Sequence, residues 1–72
     1  MADYALVKDE DGEVHGLWLR EADKADNKSL VTALLSKHDI TMPDKVRVIP
    51  NSYNDKGGAF CMFGSAKAPG EE

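Results

Sequence analysis

The chain reads as an α+β domain of order β-β-α-β-β, a four-stranded antiparallel sheet with one helix on one face. Three observations predict this. Strand-forming runs flank two turn signals, Asp11-Gly12 and Gly57-Gly58. The apolar period lengthens to that of a helix between residues 30 and 38, and it returns to alternation at residues 45–49.

Tyr4 to Lys8 is rich in strand formers and stops at the acidic run Asp9-Glu10-Asp11-Gly12, whose Asp-Gly step suits a hairpin. Glu13 to Arg20 is the return strand, with Leu17, Trp18 and Leu19 standing together as in a strand contacted on both faces. Glu21 to Lys28 is polar and reads as a loop or a ragged first helical turn. Leu30, Val31, Leu34, Leu35 and His38 then form one face of a helix. Asp26 or Asn27 supplies its N-cap, and Lys37 and His38 are expected in its last turn, at the negative end of the dipole. The stretch Asp39–Pro43 stops the helix, because a residue before proline is pushed out of helical geometry. Lys45 to Ile49 alternates as a strand, and Pro50 ends it or marks a sheet edge. Asn51 to Gly58 is turn chemistry, and Ala59 to Phe63 is the fourth strand. The domain is expected to span residues 1–66, with 67–72 a loose, dispensable tail.

With 72 residues, only a small core is available, about 60% of the unfolded surface being buried at this size. No apolar run reaches the ~20 residues of a membrane span, and the single cysteine, Cys61, excludes a disulfide framework. No basic, apolar leader opens the chain, so the expected compartment is the reducing cytoplasm. The net charge is −4, and it is uneven. Residues 1–26 carry eight acids against three bases, and residues 27–72 carry six bases against five acids. An acidic chain repels phosphate backbones, while its acidic half can steer it toward a basic surface. Solvation alone also accounts for such charge.

Chemistry-bearing constellations are few. Asp9, Glu10, Asp11 and Glu13 supply only a fragment of a calcium loop, which needs about five ligand positions over twelve residues. His15, His38 and Cys61 are separated by 22 intervening residues in each interval, without the paired spacing of zinc sites. No metal and no cofactor are therefore expected. Cys61 lies in an apolar strand, where burial makes a thiol inert. Cys61 with His15 or His38 is in principle a nucleophile–base pair, which that burial disfavours, and no Ser–His–Asp arrangement, Walker loop or dinucleotide fingerprint is present. An enzyme is not expected.

Lys56-Gly57-Gly58-Ala59-Phe60-Cys61-Met62-Phe63 is similar to the longer signature of the RNA-recognition motif. Lys56, Gly57, Ala59, Phe60 and Phe63 fit it. Gly58 replaces a stacking aromatic, and Cys61 replaces a valine. The resemblance implies single-stranded nucleic-acid binding, for which Lys45, Arg47, Lys56, Phe60 and Phe63 are the residues available.

One helix covers one face of a four-stranded sheet, so the other face is the informative feature. Leu17 and Leu19 share one face of the second strand; Val14, Gly16 and Trp18 share the other. Either Leu17, Leu19, Val46 and Val48 meet Leu30, Leu34 and Leu35 while Trp18 looks away, or Trp18 enters the core and the leucines turn outward. These residues point first to a small non-catalytic regulator or inhibitor that docks on a larger protein with a basic surface, as a monomer or weak homodimer. A phage-encoded modifier of host transcription or defence machinery is an example, by analogy of size and composition. The expected contact residues are Asp9, Glu10, Asp11, Glu13, Val14, Trp18 and Arg20, with Trp18 as anchor. Nucleic acid ranks second and a membrane is not expected.

Overall fold

Strand-forming residues on either side of a tight acidic turn close the first hairpin in the computed structural model, which describes residues 3–52, 55 and 57–70. β1 (Tyr4–Lys8) pairs antiparallel with β2 (Val14–Leu19), Tyr4 opposite Leu19 and Leu6 opposite Leu17. The turn has Gly12 at φ +83°, where a side chain is strained, and its amide donates to the Asp9 carbonyl oxygen at 3.0 Å. β3 (Val46–Pro50) and β4 (Ala59–Phe63) form the second hairpin, and β4 pairs antiparallel with β2. The sheet order is β1-β2-β4-β3, so the two hairpins lie side by side with β2 and β4 central. The expected α+β fold is the one observed.

The polar stretch after β2 is a 3-10 turn, Ala22–Asp26, that brings Ala25 into the core at 5% exposure. α1 (Lys28–Ser36) follows, with the Asn27 side chain accepting from the Leu30 amide at 3.1 Å as its N-cap. Its last turn holds no base. Lys37 is already the C-cap, because the chain reverses earlier than Pro43 requires. Asp39 takes a left-handed φ of 60°, its amide donates to Ser36 and that of Ile40 donates to Leu35, which ends the helix with Ile40 folded back toward the core. Released from the helix, His38 is exposed and its Nε2 lies 3.0 Å from the Tyr4 hydroxyl, linking the helix end to β1.

Parity on the strands sorts the side chains onto two faces. Leu17, Leu19, Ala59 and Cys61 meet Val31 and Leu35 beneath the helix and the 3-10 turn, with Leu34, Val46 and Phe63 packed around them. Trp18 is therefore on the far face, as the first of the two sequence arrangements has it. There Phe60 and Met62 form a second cluster with Ala68, flanked by Val7, Trp18, Ile49 and Ala66. Val48 was expected in the core, yet it is 40% exposed, because β3 is an edge strand that the helix does not fully cover.

The far face is not left open. After β4 the chain turns back across it, with the Gly64 amide donating to the Lys45 carbonyl at 2.8 Å. The Arg47 guanidinium donates to the carbonyl oxygens of Gly64, at 3.1 Å, and Ala66. Ala68 is 3% exposed against Phe60 and Met62. The expected tail thus differs from the structure at residue 68, which belongs to the packed domain. The stretch Ala68-Pro69-Gly70 has little apolar mass, and one methyl group suffices here because a sheet face is waiting for it.

Candidate functional site

The sites of interest lie on the first hairpin and on the far face beneath it. Asp9 organises the hairpin tip. Its Oδ1 accepts from the amides of Asp11 and Glu13, both at 2.9 Å, which is how an aspartate caps a turn of its own backbone. Its Oδ2 lies 2.9 Å from His15 Nε2. The His15 hydrogen bond, followed by the Glu13 amide, holds the Asp9 carboxyl below its ordinary pKa. Asp9, Glu10, Asp11 and Glu13 are all exposed, so the tip carries four acids into solvent beside Lys8.

A bulge re-aims the residues next to the tip. Val7 stands opposite Gly16, but Lys8 stands opposite Val14, so His15 is the extra residue. The shift moves Val14 off the parity of Trp18 and onto that of Leu6 and Leu17, which the alternation of the sequence did not foretell. His15 instead lines a groove on the far face with Val7, Lys8, Asp9, Ala66, Lys67 and Pro69, about 430 Å³ in volume.

A second groove of about 370 Å³ continues from it toward Trp18 and is walled by Ala5, Val7, Lys8, Phe60, Asn51 and Pro69. The two share Val7, Lys8 and Pro69, and together they run along β1 from the tip to the indole. Trp18 is half-buried here. Its Nε1 donates to the Gly57 carbonyl at 2.9 Å, and Asn51 Nδ2 donates to the same oxygen at 2.8 Å. Gly58 beneath the ring has φ +81°, and a Cβ on it would collide with the Leu19 carbonyl. Only glycine lets the β3–β4 loop close against the indole.

No protein-family model, curated protein or solved structure matches the chain.

Of the residues expected at a partner surface, the structure gathers Asp9, Glu10, Asp11 and Glu13 at one end of the grooves and Trp18 at the other. Arg20 lies just beyond β2, its amide bonded to the Asp3 carbonyl at 2.9 Å, and Val14 is turned aside by the bulge. The nucleic-acid set is not brought together. Phe60 is 5% exposed under Ala68, so its ring offers no open stacking face. Phe63 packs on the opposite, helix-covered side. Arg47 holds the C-terminal segment, Lys45 is exposed, and Lys56 lies outside the described residues.

Cys61 is fully buried, its thiol donating to the Ala25 carbonyl at 3.2 Å. Burial, followed by the charge of Asp26, pushes the thiol up to about 11, where it is a poor nucleophile. Asp9, Glu13 and His15 each place a ligand atom within 4.8 Å of the other two. Sequence spacing hid this group. Glu13-Val14-His15 has no paired zinc spacing, and the acidic run is only a fragment of a calcium loop, so neither pattern marks the three residues as one group. Among the described residues no helix is long and apolar enough to cross a membrane.

Proposed function

We propose that this chain is a small non-catalytic docking protein that regulates or inhibits a larger protein by binding one of its extended segments. The observation that carries this reading is the groove along β1, with Trp18 at one end and four acids at the other. β1 is an edge strand, so its outer side can accept an added strand through main-chain hydrogen bonds. Alternate side chains of that strand would reach the groove, where Val7, Trp18 and Pro69 receive apolar groups. Charge sets the direction. A segment with basic residues beside the tip and an apolar residue near Trp18 is complementary, and the acids would mainly raise the association rate.

The test uses the single Trp as reporter. A displayed library of extended peptides is selected on the protein, and the winners are titrated while Trp18 fluorescence is read. Enrichment of peptides pairing Lys or Arg with an apolar anchor supports the reading, provided that backbone amides of β1 shift on binding. Selection of no peptide, or shifts confined to the exposed side of α1, sinks it.

A further inference from the structure

We propose that Asp9, Glu13 and His15 form a binding site for a divalent transition-metal ion, with zinc the best-matched common ion. Three donors of mixed type, two carboxylates and an imidazole, lie with their ligand atoms within 4.8 Å of one another. Zinc binds carboxylate oxygen and imidazole nitrogen at ~2.0–2.2 Å, so the three side chains would draw together around the ion. The site spans two strand ends and a turn, and each member is placed by a separate device. Asp9 is fixed through Oδ1 by two amides, which leaves Oδ2 for a ligand. Glu13 follows from the turn that those amides close. His15 is turned toward Asp9 by the bulge, which makes it an extra residue of β2 instead of a member of the ladder.

The cation would enter between His15 Nε2 and Asp9 Oδ2, which now share a hydrogen bond of 2.9 Å. The ring then binds as neutral imidazole with its proton on Nδ1, and both carboxylates bind ionised. The donor set selects the ion. Calcium takes six to eight oxygens and has little use for an imidazole, whereas a nitrogen with two carboxylates suits zinc, cobalt or nickel. Three protein ligands leave further positions to water, and the adjoining groove of about 430 Å³ gives them room. Lys8 and Lys67 line that groove and oppose the cation's charge, which weakens its binding.

The experiment titrates the intact chain with zinc chloride by calorimetry, and with cobalt chloride while NMR follows paramagnetic broadening. Circular dichroism confirms that each variant is folded. One zinc ion per chain is expected, with broadening centred on the His15 ring and the amides of residues 9–15. His15→Ala and Glu13→Gln should each weaken zinc at least about tenfold, and calcium should not compete. His38→Ala, which removes the other histidine, should leave the affinity unchanged. The proposal is overturned if zinc binds wild type and His15→Ala alike, if broadening centres on His38, or if no saturable binding is seen. Because it concerns the metal alone, its failure leaves the docking reading standing, and the reverse also holds.

Discussion

Trp18 does two things at once, and its chemistry explains both. The ring is amphipathic, so the apolar body can line a groove while the N–H finds a partner. Its partner is the Gly57 carbonyl, which ties the β3–β4 loop to β2. A simple deletion would therefore confuse docking with folding, and two substitutions separate them. Trp18→Phe keeps most of the apolar surface and loses the hydrogen bond, so it should cost about 1 kcal/mol of stability. Trp18→Ala also empties a half-buried site and should cost about 2 kcal/mol, less than for a fully buried aromatic. Urea unfolding monitored by circular dichroism measures both. Equal losses for the two would mean that the ring contributes nothing to packing.

Elements cooperate here in a way their local signals do not announce. The helix and 3-10 turn cover one face of the sheet; the segment from Gly64 to Ala68 covers part of the other. Arg47 on β3 fastens that segment by its carbonyls, and Ala68 closes over Phe60 and Met62. Truncation after Ala66 removes this cover and exposes part of two large apolar side chains. The expected cost is about 1 kcal/mol or more, at roughly 0.8 kcal/mol per buried methylene equivalent. In a domain of this size that lowers Tm by roughly 4–8 °C. A thermal melt of the truncated chain checks it, and an unchanged Tm would mean that Ala68 contributes no net stability.

At the scale of the whole molecule, pH acts through groups whose ionisation differs between folded and unfolded chains. Burial raises the Cys61 thiol from 9.0 to about 11, so over that window the unfolded chain has released a proton that the folded chain retains. The unfolded state binds fewer protons there, and stability falls as pH rises from 9.0 toward about 11. Comparing denaturant unfolding of wild type and Cys61→Ala across that range should show a steeper decline in wild type. Parallel profiles would contradict it. Asp9 works with the opposite sign. Its carboxyl is depressed in the fold, so its contribution is present above the ordinary value of 3.8 and is lost as pH falls through the depressed one. Solvent around the hairpin tip keeps that contribution small.

The order of elements was legible in the sequence because it depends on local chemistry. Asp11-Gly12 and Gly57-Gly58 mark turns, the 45–49 alternation marks a strand, and Asp26-Asn27 marks the start of the helix, of which the structure selects Asn27 as the cap. The acidic tip and the apolar environment of Cys61 were legible for the same reason. Residues far apart in the chain decided the rest. Trp18 could lie on either face until Leu17 and Leu19 met Val31 and Leu35 beneath the helix. Val14 left its expected face because pairing with β1 inserts one extra residue, which alternation within β2 cannot contain. The C-terminal residues look weakly apolar by themselves, and Ala68 became core only because β4 turned Phe60 and Met62 toward it. The grouping of Asp9 and Glu13 with His15 likewise required the bulge and the turn together. Local propensity set where each strand and helix begins; register and face, which arise only when two elements meet, set which side chains share a surface.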